Sequence, residues 1–197
     1  MGGTFDPIHY GHLVTAEEAL VQFNLDKVVF MPTGRPVAKR EREVSDPEHR
    51  YLMTVIATAS NPDFEVSRQE IDRPGPTFTV DTMTELRGIH GPSAELYFVT
   101  GADAVWEILS WKDAGLLADL TKLIAATRPG YDLSRFESAH ARSGQRIPEI
   151  EFMEVPALAI SSTGIRTRVG LRRPIRYLLP EAVSAYIAKN RLYREGA

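Results

Sequence analysis

The chain has 197 residues, is 43% hydrophobic, carries a formal charge of −3 and contains no cysteine. This length allows one well-buried core, and the charge offers no general basic surface for nucleic acid. Disulfides and thiol catalysis are excluded, and no apolar run is long enough to span a membrane. We expect a single cytoplasmic domain over residues 1–197, with a C-terminal helical part from about residue 161. No nucleic-acid or membrane partner is expected, and a homo-oligomer stays open.

The strongest signal is the opening segment 2–12, which reads GGTFDPIHYGH. Gly2 and Gly3 let the backbone pass close to a bulky group, and an apolar pattern of helical spacing follows. His9 and His12 are therefore predicted in or beside the first turn of a helix, where free N–H groups attract anions. Either fragment alone could equally be a turn or a helix surface, but the fused segment predicts a phosphate-handling site.

This opening segment resembles the GGTFDPxHxGH signature of bacterial nicotinate-mononucleotide adenylyltransferases, which belong to the nucleotidyltransferase superfamily. In that family a short apolar strand precedes the signature, whereas here Met1 is followed at once by the glycines. We therefore expect that the natural reading frame starts upstream, or that the sheet tolerates the loss of this strand.

Strands and helices alternate along the chain at the spacing of βα units. This alternation predicts an α/β fold: a Rossmann-like, doubly wound, mostly parallel sheet with helices on both faces. Predicted strands cover 27–32, 64–67, 95–100, 123–126 and 151–155. Asp46 is the predicted N-cap of a helix with Pro47 in its first turn, and His49 and Arg50 are expected to be structural. The inward face of that helix is predicted to carry Leu52, Val55, Ile56 and Ala59.

A second signal lies at 160–166, which reads ISSTGIR. Serine and threonine at a helix start supply caps, and the N–H groups there can hold phosphate oxygens. Arg166 follows about one turn later and points back toward that end. Alone, this would more often be a capped helix with a surface arginine. Together with the opening segment it resembles the ISSTxIR motif of the same family, and predicts a nucleoside triphosphate between two helix N-termini.

The resemblance implies that ATP is one substrate and that His9, His12 and Arg166 contact its phosphates, with no covalent intermediate. Catalysis would then rest on alignment and on donors aimed at developing charge. Mg²⁺ is the implied cofactor, bound through the ATP phosphates. A protein metal site is not indicated, because the two histidines lack further clustered ligands. The residues implied to line the ATP site are Gly2, Gly3, Thr4, Phe5, Gly11, Gly101, Asp103, Ile160, Ser161, Ser162 and Thr163.

Nicotinate mononucleotide is the implied second substrate, and its phosphate would attack the α-phosphorus of ATP to release pyrophosphate. Trp111 resembles the tryptophan that stacks on the nicotinate ring in the family, although it would equally suit a core position. The segment Thr77, Phe78 and Thr79 resembles the family's S/T-Y-T, whose backbone amides hold the nicotinate carboxylate. Lys39 and Arg128 resemble basic loop residues near the acceptor, but Lys39 would more often be a solvated surface lysine.

Two alternatives remain open. Phosphopantetheine adenylyltransferase shares both motifs, but such chains are usually shorter and lack the combination of 77–79 and Trp111. A nucleotide-binding regulator with a silent site is the non-enzymatic alternative. The preference between nicotinate and nicotinamide mononucleotide is also undecided by the sequence.

Overall fold

The computed structural model describes residues 1–35, 44–105, 108, 111–127, 144, 146–156 and 159–194. Its contacts divide the chain into two compact units. The terminal unit comprises residues 3–76 and 157–197, and the central unit comprises residues 1–2 and 77–156. The expectation of a single domain stays a prediction.

Helices and strands alternate through both units. In chain order the elements are β1 (Gly2–Gly3), α1 (Tyr10–Gln22), β2 (Val28–Pro32), α2 (Pro47–Thr58), β3 (Phe64–Val66), α3 (Gln69–Asp72), α4 (Thr79–His90), β4 (Tyr97–Gly101), α5 (Ala102–Val105), α6 (Ala114–Leu120), β5 (Lys122–Thr127), β6 (Ile150–Glu154), α7 (Ser162–Gly170) and α8 (Glu181–Lys189). The strands form two three-stranded sheets, in the orders β1–β2–β3 and β4–β5–β6.

Both sheets contain parallel strand pairs. In the terminal unit, Val28 lies opposite Phe64, and Phe30 opposite Val66. In the central unit, β5 pairs in parallel with β4 on one side and with β6 on the other. Most residues of β2 and β5 are buried, as expected for parallel strands covered on both faces. The predicted α/β class with parallel strands is confirmed, and all five predicted strands are present with ends shifted by at most two residues.

The two opening glycines form a short strand, which corrects their interpretation as a loop with no strand before it. The Gly3 carbonyl accepts a 2.9 Å hydrogen bond from the Thr33 N–H at the end of β2. A Cβ on Gly3 would lie 2.8 Å from the Phe5 ring, and one on Gly2 would lie 2.9 Å from the Phe98 ring. The bulky groups that these glycines admit within the protein are therefore aromatic rings.

Helix α2 begins as predicted but buries a different face. The Asp46 carboxylate accepts from the Glu48 N–H at 2.8 Å, which confirms the N-cap. Leu52 is 41% exposed, so the predicted inward stripe is wrong by about one residue. Threonine hydroxyls on the buried face donate to carbonyls one turn earlier, which satisfies them without water. The residues that α2 buries are Arg50, Met53, Thr54, Ala57 and Thr58.

Arg50 is the reason for this choice of face. Only 1% of the residue is exposed, and its guanidinium donates to three backbone carbonyls. These belong to Thr4 at 2.9 Å, Gly34 at 3.1 Å and Ser45 at 2.9 Å. Arg50 thus ties the opening loop to the segments on either side of residues 36–43, and its expected structural role is supported by these contacts. The pattern of apolar residues cannot indicate this face, because the largest side chain buried on it carries a guanidinium.

The core of the central unit joins the strands to α4 and α6. Val80, Met83 and Leu117 form one buried cluster, and Leu123 and Ala125 of β5 belong to another. Phe98 and Trp111 pack against both clusters. Within the described part of the chain, no helix is both long enough and apolar enough to cross a membrane.

We expect Arg50→Lys to lower the free energy of unfolding by about 3 kcal/mol, because lysine cannot reproduce a fork that reaches three buried carbonyls. Arg68→Lys is the matched control, since Arg68 makes an ion pair with Glu48 in which both side chains are substantially exposed. The control should cost less than about 1 kcal/mol. Urea unfolding measures both values, and equal losses in the two variants would contradict the role given to Arg50.

Candidate functional site

The first turns of α1 and α7 come together in the terminal unit. His9 is the N-cap of α1, and Ser161 caps α7 by accepting the Gly164 N–H at 3.1 Å. The Ser162 hydroxyl donates to the Pro7 carbonyl at 2.9 Å, which fastens the start of α7 to the loop that leads into α1. The two segments that the sequence analysis singled out, 2–12 and 160–166, therefore meet.

Arg166 makes the second connection between these segments. One guanidinium nitrogen donates to the Asp6 carbonyl at 2.6 Å, and another donates to the Thr163 hydroxyl at 3.2 Å. The carboxylate of Asp6 lies 4.0 Å from the same guanidinium. Arg166 thus folds back across the first turn of its own helix, the direction expected of a side chain in a helix.

The two histidines are stacked. Their ring centroids are 3.8 Å apart, with an angle of 26° between the planes. The backbone N–H of His9 donates to Nδ1 of His12 at 3.2 Å. An Nδ1 that accepts a hydrogen bond carries no proton, so the neutral His12 ring holds its proton on Nε2. Nε2 of His12 is therefore the donor that this arrangement provides.

His9 is the more buried of the two, with only 6% of the residue exposed. Burial lowers its pKa to about 4, so the ring is neutral near pH 7. Its Nδ1 has no hydrogen-bond partner among the described residues. Gly11 explains how the ring fits, because a Cβ there would lie 3.0 Å from two atoms of the His9 ring.

Asp6 is a residue that the sequence analysis passed over, although it lies inside the opening segment. Only 4% of it is exposed, yet both carboxylate oxygens are bonded. Tyr193 donates to one oxygen at 2.7 Å, and the Ser45 N–H donates to the other at 3.3 Å. Burial and the adjacent Asp6 charge raise the pKa of the Tyr193 hydroxyl, which keeps it a donor. No local pattern joins positions 6 and 193, so only the fold could show this contact.

Phe5 and Thr4 shape the floor of the loop. Phe5 has a positive φ of 49° and is almost fully buried. Its ring meets His12 edge to face, with centroids 5.1 Å apart. The carbonyl of Thr4 accepts a hydrogen bond from the Arg50 guanidinium, which fixes this backbone turn. The Ile160 carbonyl lies 3.8 Å from the position that a Cβ on Gly11 would take.

The electrostatics of this cluster favour an anion. Two helix starts each present the positive end of a helix dipole, although the Tyr10 N–H of α1 already donates to the Leu178 carbonyl at 3.2 Å. Arg166 adds a positive charge, which the buried Asp6 carboxylate 4.0 Å away compensates only in part, because that carboxylate also accepts from Tyr193 and Ser45. A phosphate group placed against the helix starts would supply the missing negative charge and acceptor oxygens.

The candidate residues for the acceptor lie mainly in the central unit. Phe78 is the N-cap of α4, so the first free N–H groups of that helix follow it. Phe78 and Trp111 pack against the same buried cluster. Trp111 meets Phe98 edge to face, and the Lys112 amine lies 4.8 Å from the centre of the Phe78 ring. Trp111 therefore has a packing role and is also beside segment 77–79.

The remaining candidates are placed less completely. Gly101 is the last residue of β4, and Asp103 follows in α5, where only its backbone is described. Gly2 groups with the central unit. Lys39 and Arg128 lie outside the described residues. Among the residues that are described, no three His, Asp or Glu side chains gather as a metal site.

Comparison with known proteins adds independent information. The family described as cytidylyltransferase-like matches residues 1–168. A protein of Moorella thermoacetica named "Probable nicotinate-nucleotide adenylyltransferase" is 58% identical over 98% of this chain and 90% of its own length. A protein of the same name from Paenarthrobacter aurescens is 55% identical over 98% and 89%, respectively.

Solved structures show the same fold. Nicotinic acid mononucleotide adenylyltransferase of Plasmodium falciparum, complexed with NaAD, matches with a TM-score of 0.78. The match covers 98% of this chain and 94% of that chain at 20% sequence identity. A second structure of that enzyme, complexed with APC, gives a TM-score of 0.75. The Rossmann-like class predicted from the sequence is confirmed.

The buried His9 predicts a pH-dependent stability. Its pKa is near 6.5 when unfolded and about 4 when folded. The unfolded chain therefore binds a proton that the folded chain excludes, and stability falls as the pH drops below 6.5. From about pH 7 to about pH 5, wild type should lose about 2 kcal/mol more than His9→Gln. Urea unfolding at both pH values measures this, with His90→Gln as the exposed control, and parallel losses in all three would contradict it.

Proposed function

The chain belongs to the family of nicotinate-nucleotide adenylyltransferases, within the cytidylyltransferase-like proteins, and we propose how its residues carry out that activity. The enzyme transfers AMP from ATP to nicotinate mononucleotide, which gives nicotinate adenine dinucleotide and pyrophosphate. One observation carries the proposed site: Ser162 and Arg166 fasten the start of α7 to the loop before α1. This joins two anion-binding helix ends in one place.

In the proposed reaction, a phosphate oxygen of the mononucleotide attacks the α-phosphorus of ATP in line. A new oxygen–phosphorus bond forms, the bond to the bridging oxygen breaks, and its electron pair leaves with pyrophosphate. The protein supplies positioning and charge stabilisation rather than a nucleophile. Arg166 offers charge-assisted donors to the phosphates, and the proton on Nε2 of His12 offers a neutral one.

His9 has a different part in this proposal. Its ring is neutral and stacked against the His12 ring, so it adds no charge beside the neutral His12 donor. The Nδ1 atom of His9 is buried and has no hydrogen-bond partner among the described residues. A substrate or a water molecule could form a hydrogen bond with it. We propose that the backbone of 2–5 and residues 160–163 complete the ATP site around these side chains.

Mg²⁺ enters the proposal as a partner of ATP. Its small size favours phosphate oxygens and water as ligands, and when bound it would supply positive charge that offsets the negative charge of the phosphates. Arg166 and the helix ends would hold the remaining phosphate oxygens in place.

The acceptor is proposed to bind beside Trp111 and the start of α4. The N–H groups that follow Phe78 can receive the nicotinate carboxylate. An indole face beside them can receive the ring. Loss of the tyrosine hydroxyl at position 78, relative to the family pattern, leaves both kinds of contact in place.

We expect purified protein to release pyrophosphate from ATP with nicotinate mononucleotide. Nicotinamide mononucleotide should react at a kcat/KM lower by about tenfold or more, because it lacks the charge received by the α4 N–H groups. A coupled pyrophosphate assay with both acceptors and phosphopantetheine measures this. Product formed only with phosphopantetheine would contradict the acceptor, and tight ATP binding without turnover would indicate a silent regulator.

We expect His12→Ala and Arg166→Ala each to lower kcat by about 10²–10³-fold, because each removes one donor from the phosphates. Steady-state kinetics at saturating substrates measure the change, and circular dichroism checks the fold. Arg168→Ala is the control for Arg166, because it removes the same charge two residues along α7. His90→Ala is the control for His12. Turnover near wild type in either test variant would remove that residue from the mechanism.

A further inference from the structure

The terminal unit contains a second cationic site, apart from the residues proposed for ATP. A cavity with a volume of about 1420 Å³ lies beyond the end of α7 and against α8. Five of its lining residues are arginines: Arg168, Arg172, Arg173, Arg176 and Arg194. None of the histidines, serines or arginine assigned to the triphosphate lines it.

Positive charge is concentrated in this part of the chain, although the chain as a whole is slightly acidic. Residues 162–194 include eight Lys or Arg and one Glu, whereas the whole chain carries a formal charge of −3. No carboxylate side chain is among the described residues that line the cavity. Five guanidinium groups around one concavity repel one another, and a polyanion bound between them would relieve that repulsion.

Two of these arginines, Arg172 and Arg173, lie in a backbone turn that is closed by hydrogen bonds. The N–H of Arg172 donates to the Val169 carbonyl at 2.9 Å, and the N–H of Arg173 donates to the Arg168 carbonyl at 2.7 Å. Arg172 has a positive φ of 54°, which reverses the chain after α7. The Arg168 guanidinium reaches the Pro174 carbonyl at 3.4 Å. The backbone thus holds consecutive arginines at one rim, where a planar fork can bind phosphate oxygens in pairs.

The rest of the lining indicates what accompanies the phosphate. Ile175, Leu178 and Ile187 give the cavity an apolar wall. Tyr177 also lines it, is 81% exposed and has a positive φ of 67°. An exposed aromatic ring beside an apolar wall can stack a planar base.

We propose that this cavity binds a nucleoside phosphate, with its phosphates on the arginines and its base against Tyr177 and the apolar wall. A polynucleotide fits less well, because the chain outside residues 162–194 is strongly acidic and would repel an extended phosphate backbone. The site does not depend on the proposed mechanism, since its residues are separate from those that would contact the reacting phosphates.

Labelled ADP is the probe, used in equilibrium dialysis with the full chain at about 150 mM salt. Wild type should show two ADP sites per chain, one of them the triphosphate site. Arg172→Ala/Arg173→Ala should raise the dissociation constant of the second site at least about tenfold, the size expected from losing charge-assisted bonds. The matched control is Lys189→Ala/Arg191→Ala, which removes the same charge from residues of the same segment that do not line the cavity.

Several results would overturn the proposal. The first is a single ADP site in the wild-type protein. The second is an equal loss of ADP affinity in the control variant. The third is a short single-stranded RNA that binds the cavity more tightly than ADP does and whose binding is lost in the Arg172→Ala/Arg173→Ala variant. Circular dichroism establishes that the variants fold. Should the alanine pair not fold, Arg172→Gln/Arg173→Gln removes the same charges with a longer side chain and is judged by the same outcomes. Pyrophosphate release measured in parallel keeps this result distinct from the catalytic proposal.

Discussion

A buried carboxylate holds the terminal unit together at the point where its chemistry is proposed. Asp6 receives the Tyr193 hydroxyl and the Ser45 N–H, and its own carbonyl receives Arg166. Three distant parts of the chain therefore converge on one residue of the opening loop. A buried charge is tolerated only when such partners satisfy it, so the position of Arg166 depends on the C-terminal residues as much as on its own helix.

The same loop is fixed on its other side by Arg50, which bonds the Thr4 carbonyl. One buried cation and one buried anion thus constrain adjacent residues of a single turn. Between them, Phe5 takes a positive φ and places its ring against His12. The strain of that backbone conformation is supported by bonds on both sides. The stacked histidines are therefore held by the loop as a unit, which suits a reaction that depends on alignment.

The fold class could be predicted because alternating elements imply parallel sheets. The pairing of segments 2–12 and 160–166 could be predicted only from their joint resemblance to two motifs of one family, because a capped helix start alone does not specify an anion site. The buried face of α2 could not be predicted, since a guanidinium satisfied by three carbonyls looks like a surface residue in a sequence. The contact between Asp6 and Tyr193 could not be predicted either, because it joins polar residues that are far apart in the chain. Gly2 and Gly3 were recognised as close-approach positions, but the approaching groups are aromatic rings.

Arginines in three different settings within the terminal unit illustrate how the surroundings assign a role to one residue type. Arg50 has its donors used by backbone carbonyls within the protein, which makes it a structural cross-link. Arg166 is partly engaged by the Asp6 carbonyl and the Thr163 hydroxyl, so it is oriented and retains donors for a ligand. The arginines at the end of α7 and beyond it instead share a cavity whose described lining contains no carboxylate. From Arg50 to Arg166 to the cavity arginines, fewer acceptors within the protein are available to the guanidinium groups. Donors without a protein acceptor and charges without a counter-charge favour the binding of an anion from solution. The same residue type therefore acts as a cross-link in one place and as part of a binding site in another.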